Sequence, residues 1–141
     1  MTKILIISAN YYKEITNLLE KKTITILKKN KINLSTIKVT GVYEIPVVIK
    51  RNIKNFDAFI ALGCVIKGNT PHFDFICRST FDEIIRLSST FGKPIGNGII
   101  TALNKKQAYE RAGKLKLKKN DKGTEAANAV LSVLNNVPQK I

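Results

Sequence analysis

A three-layer α/β/α domain around a four-stranded parallel sheet is the fold class that this sequence predicts. Three observations carry that expectation. Short continuous apolar runs recur, as in "KILIIS" (3–8) and "DAFIALGCVI" (57–66). Longer stretches between them place apolar residues near helical spacing, with lysines in the gaps. Gly, Pro and Asn punctuate the joints. Unbroken apolar runs bounded by turn residues mark strands buried on both faces, and strands alternating with helices imply a parallel sheet covered on both sides.

The elements follow in order. "KILIIS" (3–8) is the first buried strand. In 11–30, Ile15, Leu18, Leu19, Ile26 and Leu27 fall near one helical face. "INLSTIKV" (32–39) alternates, as a half-buried strand does. "GVYEIP" (41–46) is a loop whose Pro46 can open the helix of 47–53 at its first turn. A third strand occupies 57–66 and a loop 67–72. A helix over 73–92 ends at Gly92. "KPIGNGIIT" (93–101) is the fourth strand. Asn104 caps a helix that Gly113 terminates. "KLKLKKN" is a basic linker, and 121–136 is a last helix rich in Ala and Leu. Right-handed crossovers reduce the order βαβαβαβαα to a doubly wound, flavodoxin-like layout.

Residues 1–141 read as one domain, with no repeat, low-complexity segment or interior linker. No stretch is long enough to span a membrane, and the N-terminal apolar run is too short for a signal-peptide core. Cys64 and Cys77 have no metal-ligand spacing, and with one histidine in the chain a zinc site is not expected. The expectation is a cytoplasmic protein without disulfides. The net charge of +14, from 24 basic and 10 acidic residues, admits nucleic acid as a partner. The lysines are nevertheless scattered over helix faces, as on a solvated surface, and a few could serve a small phosphorylated ligand.

Sheets of this kind bind ligands beyond the carboxyl ends of their strands. Tyr11, "GVYEIP", "GCVIKGNTPH" and "GNG" are expected to converge on that edge. In "KGNTPH", Gly68 permits a tight turn, and Asn69 and Thr70 offer donors beside free backbone N–H groups at a helix start, where anions bind well. His72, the only histidine, stands there and is suited to exchange protons near neutral pH. A helix-start residue without a role is an equal reading. Glu44 can accept hydrogen bonds from a polyol or be a solvated loop glutamate. Tyr11 can stack on a planar heterocycle or pack on the core. Arg111 can clamp a phosphate or simply favour a helix C-terminus.

Taken together, "GVYEIP", "GCVIKGNTPHFD", "PIGNGIIT", "QAYERAG" and "NDKGTEAA" resemble, in order and spacing, the segments of the lumazine synthase family of riboflavin biosynthesis. The resemblance covers nearly the whole chain, and the G-x-VI-[RK]-G-x-T-x-H loop is its most specific part. It implies condensation of 5-amino-6-(D-ribitylamino)uracil with 3,4-dihydroxy-2-butanone 4-phosphate, without cofactor or metal. By position, His72 matches the family's catalytic histidine. Asn69, Thr70 and Arg111 match the part that holds the butanone phosphate. Tyr11 matches the aromatic that stacks on the pyrimidine, and Val42, Tyr43 and Glu44 the segment beside the ribityl chain. Cys64, Val65 and Ile66 match backbone contacts to the pyrimidine, and Lys122 a lysine near the pocket. Asn97 stands where many members carry a phenylalanine that covers the ring, and Tyr12 where an asparagine is common.

The resemblance also implies a pentamer, or a shell of twelve pentamers, with sites between neighbouring subunits, and riboflavin synthase as a partner. The free homopentamer is expected here, with the sixty-subunit shell as the alternative. The chain begins almost at its first strand, leaving no long segment to add to a neighbour's sheet. The lysines of the last turn (Lys114, Lys116, Lys118, Lys119, Lys122) should also repel their copies across pentamer contacts. Two other functions compete: a catalytically weak member acting in assembly or flavin binding, and a basic nucleic-acid-binding module.

Overall fold

The computed structural model describes residues 1–114 and 120–141. Four strands, β1 (Thr2–Ala9), β2 (Ile32–Val39), β3 (Ala58–Ile66) and β4 (Ile95–Ala102), form one sheet. Its order is β2-β1-β3-β4, and every pairing is parallel. Among the described residues, five α-helices connect or follow them: α1 (Lys13–Leu27), α2 (Ile45–Arg51), α3 (His72–Phe91), α4 (Lys105–Arg111) and α5 (Lys122–Leu134). The expected three-layer, flavodoxin-like fold is therefore the one observed.

The strand sequences explain the layers. Ile4 and Ile6 of β1 join Ile60 and Leu62 of β3 in a core covered by α1, α4 and α5. Leu5 and Ile7 join Phe59, Ala61 and Ile99 in a second core under α2 and α3. The two inner strands bury both faces, which is why they read as unbroken apolar runs. The edge strand β2 is nowhere fully buried, so its sequence alternates. On α1, Ile15, Leu19, Thr23 and Leu27 repeat every four residues and make the buried stripe.

Helix ends follow their sequence signals. Asn104 and Asp121 cap α4 and α5 by accepting from the N–H groups of Gln107 and Thr124, each at 2.9 Å. Gly92 ends α3 with φ of +64°, a conformation only glycine adopts freely. Pro46 lies in the first turn of α2, which a 3₁₀ turn over Val42–Glu44 precedes. The greater part of "KLKLKKN", residues 115–119, lies outside the described residues.

The placing of "GNG" corrects one expectation. β4 runs from Ile95 to Ala102, so Gly96, Asn97 and Gly98 occupy its first half, away from the carboxyl edge. The two glycines serve close packing instead. A Cβ on Gly96 would stand 2.6 Å from the carbonyl oxygen of Ala126, and one on Gly98 2.9 Å from that of Ala61. The absence of side chains lets α5, with Ala126 and Ala127 on its buried face, lie directly on the strand.

Candidate functional site

A cleft of about 480 Å³ opens at the carboxyl ends of β1 and β3. These two strands are neighbours in the sheet, yet the chain leaves them in opposite directions, toward β2 and toward β4. The loops above them diverge, and the gap between them is the crevice that a doubly wound sheet offers to a ligand.

Three segments build its walls. β1 ends at Ala9, and the Asn10 N–H donates to the Val39 carbonyl at 2.8 Å. The Thr16 hydroxyl donates back to the Ala9 carbonyl at 2.7 Å, fixing the turn that carries Tyr11 and Tyr12 into the cleft. In the 3₁₀ turn, the Glu44 N–H donates to the Gly41 carbonyl, and the Glu44 carboxylate accepts from the Thr40 hydroxyl at 2.9 Å. Val42 is buried here because β3 carries Gly63 beside it. A Cβ on Gly63 would meet Val42 Cγ1 at 2.6 Å. Cys64, Val65 and Ile66, at the end of β3, form the floor, and His72 and Ile76 of α3 form the far side.

His72 is exposed at the first position of α3, after Pro71, and its N–H faces the Thr70 hydroxyl oxygen at 3.4 Å. The Asp74 and Phe75 N–H groups donate to the Pro71 carbonyl, so among the described residues the Phe73 N–H is the one left open to an anion in this first turn. Asn69 and Thr70 are exposed just before it. Gly68 departs from its expected part. Its φ is not positive, and a Cβ there would meet nothing within 4 Å, so no tight turn demands glycine. The Cys64 thiol is no nucleophile: burial first, then nearby Cys77, pushes it from its ordinary 9.0 up to about 12.

The cleft thus gathers Tyr11, Val42, Tyr43, Glu44, Cys64, Val65, Ile66 and His72. Asn69, Thr70, Asn97, Arg111 and Lys122 are not among its lining residues. Asn97 lies on β4, where its Oδ1 accepts from the Ile99 N–H at 3.1 Å. Arg111 ends α4 and Lys122 starts α5, two helices packed on the β4 side. Both cations meet one carboxylate oxygen of Glu125, at 3.0 Å and 3.7 Å. Sequence reading passed over Glu125, although its i,i+3 spacing to Lys122 was a usable signal. It also passed over Tyr12 and Ile76 as lining residues.

A second groove, about 400 Å³, lies between α2 and α3 and is bordered by Tyr43, Pro46, Val47, Lys50, Ser79, Thr80 and Glu83. It holds no histidine and leaves the buried Thr80 hydroxyl without a partner among the described residues. No helix among the described residues is long and apolar enough to cross a membrane.

Comparison with known proteins gives a consistent result. The family model for 6,7-dimethyl-8-ribityllumazine synthase matches residues 1–137. A protein of that name from Corynebacterium urealyticum is 40% identical over 129 residues, which cover 92% of this chain and 80% of that protein. One from Corynebacterium efficiens is 36% identical with the same coverage. One from Mycobacterium leprae is 43% identical over 98 residues, 70% of this chain and 61% of that protein.

Proposed function

The chain belongs to the 6,7-dimethyl-8-ribityllumazine synthase family, and from that premise we propose that the cleft between β1 and β3 is half of its active centre. The function is that of the family, a transferase step of riboflavin biosynthesis. It condenses 5-amino-6-(D-ribitylamino)uracil with 3,4-dihydroxy-2-butanone 4-phosphate and releases 6,7-dimethyl-8-ribityllumazine, phosphate and water. A nucleic-acid-binding role is not favoured, and the surplus of lysine draws in an anionic substrate instead.

One observation carries the assignment of roles: a single cleft holds the proton-exchanging His72, the exposed ring of Tyr11 and the carboxylate of Glu44. Tyr11 stacks on the pyrimidine, whose polar edge meets the backbone of Cys64, Val65 and Ile66. Val42, Tyr43 and Glu44 take the ribityl chain. The phosphate lies at the start of α3 with Asn69 and Thr70. The pyrimidine's primary amine attacks the butanone carbonyl and loses water to form an imine. Proton removal then expels phosphate, the enol left behind becomes a ketone, and attack of the second amine on that carbonyl, with loss of a second water, closes the ring. His72 moves protons in these steps. Holding two reactants side by side supplies much of the rate.

Arg111 and Lys122, and Asn97 at the ring-covering position, belong to the same centre but come from the β4 side of a neighbouring subunit. Their absence from this chain's own cleft supports that division. So do the exposed apolar side chains of Val47, Phe75, Ile85 and Leu103, which a monomer would leave in water. The assembly is a homopentamer in the cytoplasm, with riboflavin synthase as a partner taking the product. The test mixes the protein with both substrates and follows lumazine fluorescence. Product formation is expected, and none from a folded protein would leave the assembly or flavin-binding role in its place.

A further inference from the structure

We propose that Tyr12 is a positioning residue that holds the Tyr11 ring as a preformed plate for the substrate's planar heterocycle. This inference rests on the reading of Tyr11 as the stacking aromatic. Tyr11 is 77% exposed, and a ring so free would ordinarily sample several rotamers. The backbone around it is pinned. Asn10 bonds to Val39, the Thr16 hydroxyl bonds to the Ala9 carbonyl, and the Tyr12 carbonyl accepts from the Thr16 N–H at 3.0 Å. What remains free is the Tyr11 side chain, and Tyr12 meets it edge to face, with ring centroids 5.0 Å apart and planes at 78°.

Tyr12 is fit to be the fixed partner. Its ring is half-buried against the core under α1, α4 and α5, and it also borders the cleft. The positive edge of one ring on the negative face of the other gives this contact its direction. A plate oriented before binding spares the ligand the entropy of ordering it. The Tyr12 hydroxyl makes no hydrogen bond among the described residues, so the coupling belongs to the ring. Burial, followed by Tyr11 and Cys64, raises the phenol's pKa and keeps it neutral in the apolar setting.

The test is a double-mutant cycle read by calorimetric binding of 5-amino-6-(D-ribitylamino)uracil and by KM for each substrate. Tyr12→Leu should weaken pyrimidine binding roughly 2- to 10-fold, leave KM for the butanone phosphate in place, and have no further effect on a Tyr11→Leu background. Tyr12→Phe should restore the affinity. Unchanged binding in Tyr12→Leu, full loss on the Tyr11→Leu background, or failure of Tyr12→Phe to rescue would each overturn the proposal. If Tyr11→Leu alone changes nothing, the stacking role of Tyr11 falls first. Ring relaxation of ¹³C-labelled Tyr11 in the unliganded wild-type protein needs no variant. Restricted motion is expected, and free rotation on the nanosecond scale overturns the proposal even where Tyr12→Leu fails to fold.

Discussion

His72 lines the cleft, and in the proposed mechanism it moves protons, so its loss should be felt in turnover more than in binding. His72→Ala is expected to lower kcat by roughly 10- to 10⁴-fold, the smaller figure reflecting orientation that survives without it. Steady-state kinetics decide this, and an unchanged kcat removes His72 from the mechanism. Arg111 pairs with Glu125, whose carboxylate also meets Lys122. Arg111→Ala should weaken butanone-phosphate binding by about 1.5–3 kcal/mol, as befits a charge-assisted bond, and spare the pyrimidine. Equal loss for both substrates in a binding titration would indicate damage to the fold instead. Cys64 yields a pH effect. Its folded pKa is raised from 9.0 to about 12, so the folded state keeps the proton that the unfolded state gives up. The contribution to stability is whole below pH 9 and is lost as pH rises toward 12. Denaturant titrations between pH 8 and 10.5 should therefore show a steeper decline for the wild type than for Cys64→Ala.

Among the elements, the β4–α5 contact depends most on residue size. Gly96 faces the backbone of α5, where a Cβ would overlap the Ala126 carbonyl, and backbone yields less readily than a side chain. Gly96→Ala should cost about 1–3 kcal/mol, the range for overpacking a well-filled interior. Thermal unfolding checks it, and an unaltered Tm would mean that α5 can lift off the strand freely. The same displacement would move Lys122 and Glu125, so the variant should also lose butanone-phosphate affinity.

For the whole molecule, the proposed division of site residues between the β1–β3 cleft and the β4 side of a neighbour would make assembly a condition of activity. A homopentamer is expected, and light scattering at low and moderate salt measures it. Particles near sixty subunits under both conditions would defeat the free pentamer. A shell seen only at higher salt would make charge repulsion the controlling term. Activity should fall on dilution wherever the pentamer dissociates.

Periodicity and turn residues determined the order of elements, the buried inner strands, the alternating edge strand and the helix caps at Asn104 and Gly92. These are local matters: a residue's burial repeats with the backbone period, and a cap acts within one turn. The same logic put Tyr11, Val42–Glu44, Cys64–Ile66 and His72 at the carboxyl edge, because each directly follows or ends a strand. Tertiary structure decided what local pattern leaves open. The order β2-β1-β3-β4 made β1 and β3 neighbours and so placed the cleft. The glycines of "GNG" carry a turn signal in sequence, but α5, distant in the chain, took up the space they leave. Glu125 paired with Arg111, fourteen residues before it, and the rings of Tyr12 and the exposed Tyr11 met edge to face. Such contacts depend on how crossovers bring remote segments together or on how side chains orient, and neither leaves a period in the sequence.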